Sequence, residues 1–263
     1  MDDTLKRAAT KVPAVTLVFW IVKIAATTLG ETAGDAVSMS MNLGYLVGTA
    51  IFAALFIVAV AVQVRAARFH PGIYWTTIIA TTTVGTTMAD FADRSLGIGY
   101  AGGSALLLTL LIGALALWHR VLGSVSVDTV STPRAEGFYW LTIMFSQTLG
   151  TALGDWTADS AGLGYRGAAL IFLALLAAVF IAYRWTTISR TMLFWAAFVL
   201  TRPLGAVVGD FLDKPTGNGG LALSRYTASA VLLAFIVACM IAFPQRAGRH
   251  PGETRQLRPQ EQG

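Results

Sequence analysis

A chain of 263 residues that is 55% hydrophobic and 13% charged, with a mean hydropathy of +0.64, falls outside the ordinary soluble class, where charged residues make up about a quarter. Its net charge of +5 comes from short basic clusters between apolar runs, which excludes an extended nucleic-acid-binding face and suits membrane topology. Cys239 is the only cysteine, so neither a disulfide framework nor a cysteine-ligated metal site fits within one chain.

From the N-terminus, Lys6, Arg7 and Lys11 precede an apolar stretch with the outline of a signal peptide. That stretch meets Lys23, Glu31 and Asp35 and has no small-residue cleavage site, so it predicts a retained first helix. Apolar runs of about 20 residues, enough to cross a ~30 Å hydrocarbon core, place helices near 13–37, 43–64, 72–92, 99–118, 137–157, 165–183, 191–212 and 222–243. The linking segments carry Arg65 and Arg68, then Arg120 and Arg134, then Arg184 and Arg190. The tail adds Arg246, Arg249, Arg255 and Arg258, all on the side of the N-terminal cluster. The opposite loops hold Arg94, Arg166, Lys214 and Arg225 against Asp93, Asp159 and Asp213, so the positive-inside rule predicts both termini in the cytoplasm. The polar residues 244–263 are expected to form a disordered cytoplasmic tail.

The chain repeats itself. Trp20, Trp75, Trp140 and Trp195 are separated by 55, 65 and 55 positions; a glycine follows each by ten (Gly30, Gly85, Gly150, Gly205) and an aspartate by fifteen (Asp35, Asp90, Asp155, Asp210). Three copies continue to Gly44-Tyr45, Gly99-Tyr100 and Gly164-Tyr165, while the fourth reads Gly219-Gly220. The predicted fold is all-α and transmembrane: an eight-helix bundle of four parallel two-helix repeats, near 13–64, 72–118, 137–183 and 191–243, in one domain spanning 1–243. The longer central link divides it into two pseudo-symmetric halves. The repeat tryptophans, with Trp118 and Trp185, suit a cytoplasmic interfacial belt, and Tyr45, Tyr100 and Tyr165 the outer one.

The segments LGETAGD (Leu29 to Asp35), VGTTMAD (Val84 to Asp90), LGTALGD (Leu149 to Asp155) and LGAVVGD (Leu204 to Asp210), with the recurring Trp, resemble a family of bacterial membrane-anchored proteins of uncharacterised function. That family has four tandem repeats, each with two transmembrane regions and a tryptophan. The resemblance covers nearly the whole chain except the tail and implies a bacterial inner-membrane location; it brings no substrate and no functional residues.

In the first helix of each unit polar residues recur every four positions, along one helical face. The copies read Lys23, Thr27, Glu31, Asp35; then Thr82, Thr86, Asp90, with Asp93 beyond; then Gln147, Thr151, Asp155; then Arg202, Ala206, Asp210, with Asp213 beyond. A charge at the centre of a spanning helix costs roughly 2.5–3.5 kcal/mol, so these stripes should face the bundle interior or a water-filled path. If they converge, Glu31, Asp35, Asp90, Asp155 and Asp210 become a hard-oxygen metal site, supplemented by Thr27, Thr86, Gln147 and Thr151. Such a site suits manganese, magnesium, calcium or sodium. Lys23 and Arg202 are the expected counter-ions or gate, Lys23 pairing with Glu31 or another acid, and Arg202-Pro203 marking a hinge or a local packing feature. Asp93, Asp159 and Asp213 are expected at the outer mouth. His70, His119 and His250 fall in the cytoplasmic segments, away from the acids.

Two plainer readings stand beside this one. The GxxxG spacings (Gly30 with Gly34, Gly150 with Gly154, Gly205 with Gly209) serve close helix packing, and the aspartates sit near the helix exit, where headgroup water would solvate them separately. The leading expectation is a secondary transporter of a hard inorganic cation, coupled to protons, with the lipid bilayer, the cation and protons as partners. No enzymatic activity, nucleic acid or cofactor other than a bound divalent cation is expected. An organic-solute carrier using Arg202 and Lys23 is the alternative. An intramembrane aspartyl hydrolase fits less well, since the pattern is Gly-x-x-x-Gly-Asp and four equivalent acids exceed the two that chemistry uses.

Overall fold

A computed structural model describes residues 9–249 of the chain. Lys6, Arg7, His250, Arg255 and Arg258, and most of the expected tail, lie outside the described residues.

Eight helices form in chain order: α1 (Leu17–Asp35), α2 (Gly44–Arg65), α3 (Pro71–Asp90), α4 (Tyr100–Leu122), α5 (Pro133–Asp155), α6 (Gly164–Trp185), α7 (Arg190–Asp213) and α8 (Arg225–Ala242). Their starts follow local rules. The Thr16 and Thr132 hydroxyls accept from Phe19 N–H and Ala135 N–H at the N-termini of α1 and α5, and Pro71 and Pro133 occupy first-turn positions where no amide donor is missed. Directly after the repeated aspartate, α1, α3 and α5 each pass into a five-residue π-helical turn, Ala36–Ser40, Phe91–Ser95 and Trp156–Ser160; α7 instead stays α-helical through Asp213. The repeated Gly-Tyr explains the next step. Gly44, Gly99 and Gly164 stand at φ of +77°, +77° and +62°, a left-handed corner that reverses the chain into the second helix.

Each first helix packs against its two neighbours of the same kind: α1 on α3, α3 on α5, α5 on α7, and α7 back on α1. The ring is therefore closed. The second helices lean outward and forward, α2 on α3, α4 on α5, α6 on α7 and α8 on α1, so each repeat covers the following one rather than itself. Side chains obey the same cyclic rule. A methyl group built on Gly30 would overlap Thr82, on Gly85 would press on Gln147, on Gly150 would overlap Arg202, and on Gly205 would overlap Thr27. In every case the tenth residue after one tryptophan receives the seventh residue after the next, and repeat four hands on to repeat one. The expected glycine role in close packing is thus realised across repeats.

The tryptophans correct an expectation. Trp75, Trp140 and Trp195 are buried inside the bundle instead of facing outward, and Trp118 is fully enclosed, whereas Trp185 is exposed. They form an aromatic collar in which the ring before each tryptophan meets the next repeat's indole. Phe19–Trp75 centroids are 5.5 Å apart, Tyr74–Trp140 5.7 Å, Tyr139–Trp195 6.2 Å and Phe194–Trp20 5.7 Å. On the opposite side of the bundle Tyr165 is buried and Tyr45 half-buried.

A two-stranded antiparallel sheet caps the collar, pairing β1 (Ala9–Pro13) with β2 (Ala247–Arg249). The first helix accordingly starts at Leu17 rather than near residue 13, and residues 247–249 are ordered, contrary to the disorder expected for the tail from 244. The cap is tied down: Thr10 Oγ1 donates to the carbonyls of Val127 and Val130 at 2.8 and 3.0 Å, and Trp75 Nε1 to Gln245 Oε1 at 2.8 Å. Lys11 Nζ reaches buried Glu136 at 2.6 Å.

Six helices are long and apolar enough to cross a membrane, α1, α2, α4, α6, α7 and α8. The inner helices α3 and α5 fall short of that measure because their ring-facing positions are polar, including the threonine run at Thr81 to Thr83 and Thr86 to Thr87. The outer helices are inside out relative to a soluble bundle: Ile57, Leu170, Phe180 and Ile241 stand well exposed, the outer surface of a multi-pass membrane protein.

Candidate functional site: an axial column of buried charge

Because the four stripes recur every fourth residue on ring helices, they stack as layers along the ring axis. The layer beside the aromatic collar holds Lys23, Ile78, Ile143 and Phe198. Next come Thr27, Thr82, Gln147 and Arg202; then Glu31, Thr86, Thr151 and Ala206; then the four aspartates. All of these side chains are buried, Lys23, Gln147 and Arg202 completely.

Ion pairs join the four aspartates two by two. Arg94, four residues after Asp90, bridges Asp90 at 2.8 Å and Asp155 at 3.2 Å. Lys214, four residues after Asp210, bridges Asp35 at 2.5 Å and Asp210 at 3.0 Å. Repeats two and four therefore each supply a cation to their own aspartate and to that of the following repeat. This is a pseudo-twofold arrangement laid over the fourfold ring. Arg94 and Lys214 had looked like loop charges; their i+4 spacing from an aspartate was the available signal.

The fourth-to-first interface is the richer of the two. Oxygens of Glu31, Asp35 and Asp210 lie within 4.8 Å of one another, and all three residues are buried. Among the described residues Asp35 Oδ1 has no hydrogen-bond partner. Arg225 Nε pairs with Asp213 at 2.8 Å and approaches Asp35 at 3.8 Å. Lys214 sits on the segment between α7 and α8. Burial pulls its ammonium down, but Asp210, Asp35 and Asp213 outweigh that and hold its pKa above the usual lysine value. Its charge contributes fully below the unfolded value of about 10.4 and is lost only above it, so Lys214 stays protonated across the neutral range.

One layer deeper, Arg202 Nη2 donates to Glu31 Oε2 at 2.9 Å, Thr86 Oγ1 at 2.7 Å and Thr151 Oγ1 at 2.5 Å. Arg202 is thus ion-paired with Glu31 inside the ring. Pro203 sits inside an α7 that runs unbroken from Arg190 to Asp213, and its ring lies against Gly150 as part of the packing. Lys23 departs from expectation: among the described residues it pairs with no acid, and its Nζ lies 4.1 Å from the Phe198 ring centroid.

Of the ligands expected from sequence, Glu31, Asp35 and Asp210 come together. Asp90 and Asp155 are not part of that 4.8 Å trio and are held by Arg94. Thr86 and Thr151 hold Arg202, and Thr86 also donates to Glu31 Oε2 at 3.3 Å. The Thr27 hydroxyl lies between the helices and donates to the Ile24 and Thr201 carbonyls at 2.8 and 3.2 Å. Gln147 is buried on the axis without a partner among the described residues. At the mouth, Asp93 and Asp213 are buried and Asp159 is exposed.

The fold and site define a multi-pass helical-bundle class built from tandem repeats around a charged axis. A family described as Repeat of Unknown Function (DUF347) matches residues 18–69, 73–123, 138–189 and 193–244. The chain belongs to that family, with four copies whose limits coincide with the structural units. No curated protein and no solved structure matched the chain.

Proposed function

We propose that the protein is a secondary transporter of a hard inorganic cation, exchanged for protons across a bacterial inner membrane, with both termini cytoplasmic. The observation that carries this reading is the trio Glu31, Asp35 and Asp210, whose oxygens approach within 4.8 Å on the axis of a helical ring. Three carboxylates with threonine hydroxyls nearby form an all-oxygen donor set, which selects manganese, magnesium, calcium or sodium over softer metals.

In this reading Lys214 is a tethered competitor. Its ammonium fills the gap between Asp35 and Asp210, and an arriving cation takes that place while the Lys214 side chain swings away. The backbone of the segment that follows α7 is tied to the helix end, the Leu221, Ala222 and Leu223 amides donating to the carbonyls of Phe211, Lys214 and Leu212 at 2.8, 2.9 and 2.8 Å, so the exchange needs only the Lys214 side chain to move. A lysine suits this exchange, being a compact point charge on a flexible stem. Arg94, a planar fork holding Asp90 and Asp155, is the permanent latch of the other interface. The aromatic collar closes the opposite end.

The test is cation flux in proteoliposomes for the native chain, Asp35→Asn, Glu31→Gln and Asp90→Asn. The reading predicts flux that falls at least tenfold in the first two variants and less in Asp90→Asn. Equal flux in all four preparations overturns it.

A further inference from the structure

The same axis carries unused donors between the acidic trio and the aromatic collar. Lys23 on α1, Gln147 on α5 and Arg202 on α7 occupy adjacent layers, and all three are fully buried. Among the described residues Lys23 Nζ, both amide atoms of Gln147, and Nε and Nη1 of Arg202 have no hydrogen-bond partner. Arg202 is engaged only through Nη2, on its Glu31 side.

The groups left over are almost all donors: an ammonium, two guanidinium N–H groups and an amide NH2, against one amide oxygen. The charge is also unbalanced. Glu31 is the one carboxylate in these layers and its Oε2 pairs with Arg202, while Asp35 and Asp210 are held by Lys214; among the described residues Lys23 meets a ring face and no carboxylate. Buried donors and charges require compensation. Water would satisfy the hydrogen bonds, but only an anion would also favour the charged form of Lys23, and a second metal cation would be repelled by Arg202.

We infer that Lys23, Gln147 and Arg202 form a binding site for a small monovalent anion, a halide or a one- to two-carbon carboxylate, on the bundle axis below the acidic trio. The site has the opposite sign to the proposed cation site, uses different side chains, and does not depend on transport of a cation. Lys23, protonated when the anion is bound, supplies the neutralising charge, Arg202 gives the donors of Nη1, and the Gln147 amide closes the third side.

The test is a calorimetric titration of the purified full-length chain in detergent with choline chloride and with choline formate, each against choline gluconate at constant ionic strength. Choline keeps hard cations out of the experiment. The native chain should bind one or both small anions saturably; tighter formate points to an organic acid, tighter chloride to a halide, and either supports the site. Binding should weaken at least tenfold in Lys23→Met and in Gln147→Leu and stay within twofold in Asp210→Asn. Lys23→Gln, which keeps a polar end without the charge, replaces Lys23→Met should that variant not fold, with the same expected loss. Heats of dilution alone for both salts with the native chain, or equal binding by the native chain and the Lys23 variant, overturn the inference. Failure of cation flux with intact anion binding would remove the transport reading and leave this site standing.

Discussion

At the residue scale the fold depends on four missing side chains. Gly30, Gly85, Gly150 and Gly205 leave room for Thr82, Gln147, Arg202 and Thr27, so an added Cβ must displace packed neighbours. Gly205→Ala is expected to destabilise the chain by about 1–3 kcal/mol, the usual cost of overpacking. Gly113→Ala, on α4 with no neighbour within reach, should not destabilise it; thermal unfolding in detergent compares the two. The Glu31–Arg202 pair gives a second residue-scale prediction. Removing one partner of a buried pair leaves the other uncompensated, at about 3–5 kcal/mol, whereas removing both is far milder. Glu31→Gln and Arg202→Gln should each melt well below the native chain, and the double variant should recover much of the loss. Additive losses in that cycle would mean the pair is not coupled.

At the element scale the structure separates what the sequence made legible from what it did not. The four-residue spacing of Glu31 and Asp35, and the fifteen-residue offset of every aspartate from its tryptophan, were enough to put the acids on one helical face and inside the bundle. They did not disclose how charge is shared. Helical periodicity reports which face a residue lies on, not which neighbouring helix supplies its partner, so Arg94 and Lys214 passed for loop charges and Lys23 was assigned an acid it does not meet. The tryptophans were misplaced for a related reason: an interfacial belt and a buried collar fall at the same depth along a helix and differ only in tertiary packing. The tail from residue 244 reads as polar and disordered because a three-residue strand leaves no periodic signal. Truncation after Phe243 tests that element. It removes β2, the Gln245 acceptor of Trp75 and the Arg246 carbonyl that binds Ala14 N–H. A clear fall in melting temperature is expected, and an unchanged one would mean that the cap contributes nothing.

At the scale of the whole molecule the closed ring is the property no single repeat announces. Each second helix serves the following repeat, and α8 returns to α1, so the order in which the repeats are made matters less than their cyclic succession. The paired strands already bring the two ends of the described chain together. A circular permutant joining residue 263 to residue 1 and opened in the segment 123–132 keeps every ring contact and an even number of crossings on each side. It is expected to fold and to melt within a few degrees of the native chain; a permutant that does not fold would show that the fourth-to-first interface cannot form without the native order of synthesis.

The overlay of twofold charge on fourfold packing is what singles out one interface. Arg94 locks repeats two and three, while Lys214 sits among Glu31, Asp35, Asp210 and Asp213 at repeats four and one. If Lys214 competes with a cation for that place, removing its ammonium must strengthen cation binding. The decisive measurement is a calorimetric titration with manganese, magnesium and calcium of the native chain, Lys214→Met and Asp210→Asn. The account predicts binding at least tenfold tighter in Lys214→Met than in the native chain and none in Asp210→Asn. Weaker binding in Lys214→Met, or no binding by any of the three proteins, contradicts it.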